Sequence, residues 1–155
     1  MPVSQNLLTR GVKKMGVMLP SFNISRQSDV CIGMTPLCKI YCYAKRYHFK
    51  GTNVLAKYAD NLRRSKLPDF RQQMIHEMKT CAFSGINRVR LHSCGDFYVQ
   101  KYLDDWKAIA RAVPKITIVA YTRSYQLDYR RLPKNLKVFY SVDESTTSFA
   151  KHLKR

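Results

Sequence analysis

Apolar side chains recur at intervals of three and four residues in three long segments of the chain, and this spacing predicts amphipathic helices. The first segment covers residues 54–62. The second opens with a Pro-Asp pair, covers residues 68–82 and is ended by Gly85. The third covers residues 102–113 and stops at Pro114, which cannot continue a helix. We therefore expect three helices, each burying one face.

Two shorter segments, residues 41–47 and 124–131, carry weaker helical signals, and each is predicted to form a short helix. The stretch before the first of them, residues 25–39, is rich in turn-forming side chains. It contains Gly33 and Pro36, which punctuate regular structure. This stretch is predicted to be a loop.

Four segments have the character of β-strands. Residues 17–24 form an apolar run interrupted by Pro20, and residues 88–92 alternate between apolar and polar side chains. Residues 115–121 are apolar and rich in β-branched side chains, and residues 136–141 form a similar run. Strands that alternate with helices predict parallel pairing with right-handed crossovers.

The number of strands limits the architecture. Four strands cannot close an eight-stranded (β/α) barrel, which takes about 250 residues. We therefore predict a partial (β/α) barrel, or an open parallel sheet of about four strands with helices on one side. A chain of 155 residues fits one domain of ordinary size, so residues 1–155 are expected to form a single α/β unit.

The charge of the chain narrows the choice of partners. The sequence has 28 Lys and Arg residues against 10 Asp and Glu residues, which gives a formal net charge of +18. A field of this sign attracts phosphate backbones and acidic protein surfaces. We expect a nucleic acid or an acidic host protein as partner, contacted by side chains such as Arg63, Arg64 and Arg130. A solvated basic surface without a specific partner stays open as the alternative.

Two further expectations follow from the composition. The sequence shows no helix-turn-helix, zinc-finger or aromatic RNA-binding motif, so nucleic-acid binding is expected to be largely independent of base sequence. No stretch approaches the roughly 20 apolar residues that span a bilayer, and the N-terminus lacks the pattern of a secretory signal. The protein is therefore expected to be soluble and cytoplasmic, without a membrane partner.

The five cysteines are unevenly distributed. Cys31, Cys38 and Cys42 lie within twelve residues, whereas Cys81 and Cys94 stand apart. An odd number of cysteines in a cytosolic protein argues against a disulfide framework. Cys81 falls on the apolar side of a predicted helix and is interpreted as a small buried side chain. The triplet is interpreted as a metal-binding group.

Three identities are open for the metal. Thiolates suit soft metals, namely zinc, copper(I) and iron–sulfur clusters. Structural zinc sites use four ligands, typically in pairs two to four residues apart, whereas the spacing here is six and then three intervening residues. His92, Cys94 or Asp96 could supply a fourth ligand. The triplet favours an iron–sulfur cluster, while a zinc site and a site without metal remain alternatives.

Polar groups follow each predicted strand. The segment that carries Cys31, Cys38 and Cys42, which we call the cysteine loop, follows the first strand. Gly95 and Asp96 follow the second strand, Arg123 follows the third and Asp143 follows the fourth. The carboxyl ends of parallel strands lie at one edge of a sheet, so these groups are expected to converge there. Arg123 is suited to gripping a carboxylate or a phosphate.

Three nearby groups have structural alternatives. Asp96 is equally suited to capping a helix that starts near Val99. His92 is interpreted as a strand-end histidine that hydrogen-bonds the sheet edge rather than as a ligand. Tyr41, Tyr43 and Tyr47 are expected to pack the cysteine loop.

Several of these motifs resemble a known family. The segment Cys38-Lys-Ile-Tyr-Cys-Tyr-Ala-Lys-Arg46, with Cys31 upstream, resembles the gene product 88 family of phage proteins. The same resemblance holds for Arg90-Leu-His-Ser-Cys-Gly-Asp-Phe-Tyr98, Ala120-Tyr-Thr-Arg-Ser124 and Ser141-Val-Asp143. It extends over about residues 7–145, with the motifs in the same order.

That family is in turn similar to the radical S-adenosylmethionine enzymes, whose three cluster cysteines follow the first strand of a partial or full barrel. The resemblance implies a [4Fe-4S] cluster on the cysteine triplet and a truncated barrel-like sheet. It also implies that Gly95 and Asp96 stand where those enzymes bind S-adenosylmethionine, with Arg123 and Asp143 beside them. A radical-enzyme-like activity and a non-enzymatic binding module are both open. A phage-encoded protein would act in the cytoplasm of an infected cell.

Overall fold

A computed structural model describes residues 6–10, 19–45 and 50–148 of the chain. Within these ranges the chain forms, in order, β1 (Ser21–Phe22), α1 (Pro36–Tyr41), α2 (Thr52–Arg64), α3 (Phe70–Phe83), β2 (Arg88–Leu91), α4 (Gln100–Ala112), β3 (Thr117–Thr122) and β4 (Leu136–Tyr140). Two 3-10 turns follow α1 and β4, at Tyr43–Lys45 and Glu144–Thr146.

The strands form one parallel sheet in the order β1-β2-β3-β4. The register places Leu91 beside Ala120, and Ala120 beside Val138. The predicted parallel α/β arrangement is therefore confirmed as an open four-stranded sheet.

The two faces of the sheet differ in burial. Val89, Leu91, Ile118 and Ala120 are fully buried, because alternate side chains of a strand point to the same face and this face meets the helices. The side chains between them on the same strands are half-buried or exposed. Helices thus cover one face of the sheet, as the sequence predicted.

Aromatic rings fill the centre of the core. Phe22 of β1 lies 5.6 Å from Phe70 of α3 and 5.5 Å from Trp106 of α4, measured between ring centroids. Phe70 and Trp106 meet edge to face at 5.9 Å, a favourable geometry for aromatic pairs. Tyr102 is 1% exposed and packs against the same rings. This cluster fixes α3 and α4 against the sheet.

The long periodic segments predicted α2, α3 and α4, and the structure confirms all three helices and strands β2 to β4. The first strand is shorter than predicted, since the described part of residues 17–24 pairs only at Ser21–Phe22. No described helix is both long and apolar enough to cross a membrane.

Two predictions of local structure are wrong. A helix begins at Pro36 inside the predicted loop and ends at Tyr41, where the predicted helix was to begin. Residues 124–131 form turns rather than a helix. Contacts with α4 hold them in that shape, since Gln100 accepts from the Asp128 backbone N–H at 2.8 Å and Lys107 donates to the Asp128 carbonyl at 2.7 Å.

The two ends of α3 provide a matched test of the core. Replacing Phe70, which is 1% exposed, by alanine should lower the free energy of unfolding by about 3–5 kcal/mol, because a buried ring is lost and a cavity remains. Phe83→Ala should change it by less than about 0.5 kcal/mol, since Phe83 is 96% exposed. Urea denaturation of both variants checks this, and similar losses would contradict the described packing.

Candidate functional site

The carboxyl ends of the strands surround a cleft of about 390 Å³. Its walls come from the cysteine loop and from the segments that follow β2, β3 and β4, and they include Cys31, Cys38, Cys42, His92, Cys94, Gly95, Asp96, Arg123 and Asp143. All the residues that the sequence placed at this edge therefore meet in one cleft. A larger cavity of about 650 Å³ lies away from this edge, and Cys81 lines it.

The cysteine loop is shaped by its own sequence. Thr35 caps α1, because its hydroxyl oxygen accepts from the Cys38 backbone N–H at 3.1 Å. Pro36 occupies the first helical position, where its missing N–H costs no hydrogen bond. Cys38 and Cys42 are four residues apart, so they lie on the same side of α1, with Cys42 at its C-terminal cap.

A close backbone approach seats this loop on the end of β3. A Cβ atom at Gly33 would lie 1.7 Å from the carbonyl oxygen of Arg123, so only glycine fits between the loop and the strand end. Glycine is required at position 33 because of this contact and not because of an unusual backbone angle. The sequence marked Gly33 only as a turn residue.

Cys94 joins the triplet in the cleft. Its side chain is 5% exposed and packs with Ala44 and Tyr58, and Cys42 lies against this cluster. Four of the five cysteines therefore share one cleft. Cys81 is half-buried against the main core, as a cysteine with a packing role would be.

The environment of the cleft disfavours charged sulfur in the absence of a metal. Burial, followed by the negative charges of Asp96, Cys94 and Cys42, raises the pKa of the Cys31 thiol to about 12. Burial also raises the pKa of Cys94 to about 11 and that of Cys38 above its ordinary value. The positive charge of a bound metal would reverse this effect and favour the thiolates.

The carboxyl group of Asp96 links the ends of β2 and β3. One oxygen accepts from the Phe97 backbone N–H at 2.7 Å and from the Thr122 hydroxyl at 2.6 Å, and the other accepts from the Arg123 backbone N–H at 2.8 Å. The predicted capping role is wrong, because α4 is capped by Val99 without a side-chain hydrogen bond. Burial raises the pKa of Asp96 to about 6 against these hydrogen bonds.

Gly95 allows the tight turn before this carboxylate. Its φ angle is +87°, a left-handed conformation that side chains rarely adopt, and an added Cβ would lie 2.3 Å from a side-chain carbon of Ile24. The backbone of Gly95 is thus packed directly against Ile24. The sequence suggested a glycine turn here but not the residue that covers it.

Asp143 links three other segments of the same edge. It accepts from the Thr35 hydroxyl at 2.6 Å and from the Arg123 guanidinium at 2.8 Å, and it caps the 3-10 turn by accepting from the Ser145 backbone N–H at 3.0 Å. Hydrogen bonds from Ser145 and Thr35, together with the charge of Arg123, lower the pKa of Asp143 to about 2. Arg123 and Asp143 are therefore paired with each other.

His92 lies at the end of β2 and is 4% exposed. Its Nε2 atom is 2.9 Å from the Tyr102 hydroxyl of α4, so its partner is a helix rather than the sheet edge that we expected. Its Nδ1 atom is buried without a hydrogen-bond partner among the described residues. Burial lowers its pKa to about 3, which keeps the ring neutral.

The tyrosines of the cysteine loop have different roles. The Tyr43 hydroxyl donates to the Ser93 carbonyl and ties the loop to the end of β2, as a packing role predicted. Tyr41 is 77% exposed, so the expectation that it packs the loop is wrong. Tyr47, which was expected to pack beside them, lies outside the described residues.

A site for a single metal ion is not preformed. Among the described residues, no three side chains of His, Cys, Asp or Glu are grouped so that they could hold one ion. The four thiols line a common cleft without converging on one point.

Comparison with known protein families gives a match over nearly the whole chain. The family described as gene product 88 matches the chain over residues 3–155. No curated protein and no solved structure matches the chain.

Gly33→Ala should lower the free energy of unfolding by about 1–3 kcal/mol, because the new methyl group overlaps the Arg123 carbonyl and displaces the cysteine loop. Gly51→Ala is the matched control, since its φ angle is −59° and a Cβ there would be 3.7 Å from its nearest neighbour, a side-chain carbon of Val54. Denaturation in urea measures both values. Equal stability of the two variants would contradict the close approach.

Asp96 should make the stability of the metal-free protein depend on pH. Its pKa is about 6 in the folded protein, whereas the ordinary value for aspartate is 3.8, so between these values the folded state holds more protons. Its contribution is therefore complete below about pH 4 and is lost as the pH rises through 6. The stability of the parent relative to Asp96→Asn should fall over this window by up to about 3 kcal/mol.

His92 acts in the opposite direction, because its lowered pKa makes stability fall as the pH drops below 6.5. The parent and the Asp96→Asn variant both contain His92, so its contribution cancels when their free energies of unfolding are compared. Urea denaturation at a series of pH values from about 4 to 7 gives the difference. A difference that stays constant across the series would contradict the buried carboxyl group.

Proposed function

This chain belongs to the gene product 88 family, and we propose that it is a phage-type iron–sulfur protein with a [4Fe-4S] cluster held by Cys31, Cys38 and Cys42. The observation that carries the proposal is that four of five cysteines line one cleft at the carboxyl edge of the sheet. Thiolates are the ligands that iron–sulfur clusters use. Cys81, the fifth cysteine, lies elsewhere against the core.

The arrangement of the thiols favours a cluster over zinc. A zinc ion holds each sulfur at about 2.3 Å, so four sulfur ligands must converge on one point. A cubane cluster binds each cysteine through a different iron atom and so keeps the sulfurs further apart. Structural zinc ligands also typically come in pairs two to four residues apart, whereas Cys31, Cys38 and Cys42 are separated by six and three intervening residues.

Cys94 is the best candidate for the fourth ligand. It lies outside the triplet in sequence but shares its cleft, and it packs beside Cys42. Three-cysteine ligation would leave one iron open, as the resemblance to radical enzymes implies, whereas ligation by Cys94 would close the cluster. A closed cluster serves electron transfer or structure.

The residues beside the cleft favour the closed cluster. Asp96 already accepts three hydrogen bonds from the protein, and Gly95 packs against Ile24. Arg123 and Asp143 form an ion pair at 2.8 Å. Binding S-adenosylmethionine there would require these contacts to be replaced. We therefore propose a truncated radical-enzyme-like sheet whose cofactor-binding positions have structural roles.

Protein prepared without oxygen should absorb broadly in the visible range and contain about four irons per chain. Cys31→Ser, Cys38→Ser, Cys42→Ser and Cys94→Ser should each lose most of the iron, because each removes a thiolate ligand. Cys81→Ser is the matched control and should retain it. Absorption spectra and iron analysis measure the outcome, with circular dichroism to show that each variant is folded.

Two outcomes would change the proposal. Colourless protein with one zinc per chain would reject the cluster. Full iron content in Cys94→Ser, together with cleavage of S-adenosylmethionine by the reduced protein, would reject the closed cluster and support the enzyme.

A further inference from the structure

One face of the sheet is left open by the described residues. Alternate side chains of β2, β3 and β4 point away from the helices, and the register brings them side by side. We call this surface the open face, and it consists of Arg88, Arg90, Val119, Tyr121, Lys137 and Phe139. Parallel sheets are usually covered on both faces, so an uncovered one indicates a surface that meets a partner.

Two aromatic rings form the centre of the open face. Tyr121 and Phe139 are direct neighbours across β3 and β4, and they are 49% and 50% exposed. Their rings are stacked, with centroids 5.5 Å apart and planes inclined by 28°. The Arg90 guanidinium lies over the Tyr121 ring at 5.7 Å, which is a cation–π contact. The rings therefore form a preorganised aromatic pair that is half exposed to solvent, with the Tyr121 ring contacted by both Phe139 and Arg90.

The charges of the open face are all positive. Arg88 and Lys137 are exposed, and strands β2, β3 and β4 contain no acidic residue. Within the part of the chain that the structure describes, Arg88, Arg90 and Lys137 form no ion pair. The charges of the exposed Arg88 and Lys137 are thus available to an anionic partner.

Two basic side chains outside the open face form local ion pairs. Arg63 pairs with Asp60 at 2.8 Å, and Arg130 pairs with Asp128 at 2.8 Å. These are among the side chains that the sequence suggested as partner contacts. Arg88 and Lys137 of the open face, which form no ion pair among the described residues, are therefore better candidates for contacts with an anionic partner than Arg63 and Arg130.

We propose that the open face binds single-stranded nucleic acid, with bases packed on the exposed part of the Tyr121–Phe139 pair and phosphates held by Arg88 and Lys137. Aromatic side chains that stack on bases beside basic groups are typical of single-strand binding surfaces. A duplex keeps its bases stacked on each other and cannot use the rings. A second copy of this chain would bring two sets of like charges together.

The proposal does not rest on the cluster. Tyr121 also borders the cleft, so the two surfaces are adjacent, but the stacked rings and the charges are features of the strands themselves. Every base has a flat aromatic face, so stacking on the rings should accept any base.

The test is fluorescence anisotropy of the full chain with labelled oligonucleotides of about 12 nucleotides, a length within the usual range for such surfaces. Single-stranded dT and U oligomers are the probes, and a duplex of equal length is the comparison. Tyr121→Leu and Phe139→Leu should each weaken single-strand binding by about tenfold, or about 1.4 kcal/mol, because each disrupts the aromatic pair on which the bases stack. Phe83→Leu, an exposed aromatic on α3, should bind like the parent.

A second experiment tests the role of the basic side chains of the open face. Lys137→Gln should reduce the slope of log affinity against log salt by about 1, because one phosphate contact is lost. Lys79→Gln, an exposed lysine on α3, should leave the slope unchanged. Tyr121→Phe keeps the ring and should retain binding, which separates stacking from a loss of folding.

Three results would overturn the proposal. The first is unchanged binding in both leucine variants. The second is duplex affinity that equals single-strand affinity. The third is a parent that sediments as a dimer and becomes monomeric on Tyr121→Leu, which would assign the open face to a second copy of the chain.

Discussion

All four strands run in the same direction, so each connection between neighbouring strands has to cross back over the sheet. The helices α3 and α4 lie in two of these connections, and both pack against one face through Phe22. Two consequences follow from this constraint. The carboxyl ends meet at one edge, where the loops after the strands form the cysteine cleft. The other face keeps Tyr121 and Phe139 in solvent.

Two carboxylates hold together the loops that follow the strands at the carboxyl edge of the sheet. Asp96 joins the segment after β2 to β3, and Asp143 joins the cysteine loop to the segments after β3 and β4. Carboxylates withdrawn from water need several hydrogen-bond donors, and buried Asp96 and half-buried Asp143 both have them here. The same residue types that suggested a cofactor site in the sequence thus also explain how the loops are held. These hydrogen bonds account for the two carboxylates, so the thiols are the groups of the cleft whose role the hydrogen bonds do not explain.

Periodic burial made the long helices and the strands predictable from sequence, because each repeats its apolar positions along one face. The helix at Pro36 and the turns at residues 124–131 depend on contacts with distant residues, which periodicity does not report. The meeting of the strand-end groups was predictable from parallel topology. The place of Cys94 near the triplet was predictable in the same way, whereas the close approach of Gly33 and the stacking of Tyr121 follow from three-dimensional packing alone.

The order of the strands also bears on how the chain folds. Strands β2 and β3 are joined by α4 alone, whereas residues 23–87 separate β1 from β2. Closing a longer loop costs more conformational entropy, so we expect the β2-α4-β3 unit to form early and β1 to join it late. The cysteine loop lies in the long connection. We therefore expect its thiols to face solvent until β1 docks, so that the cleft is completed only in that late step.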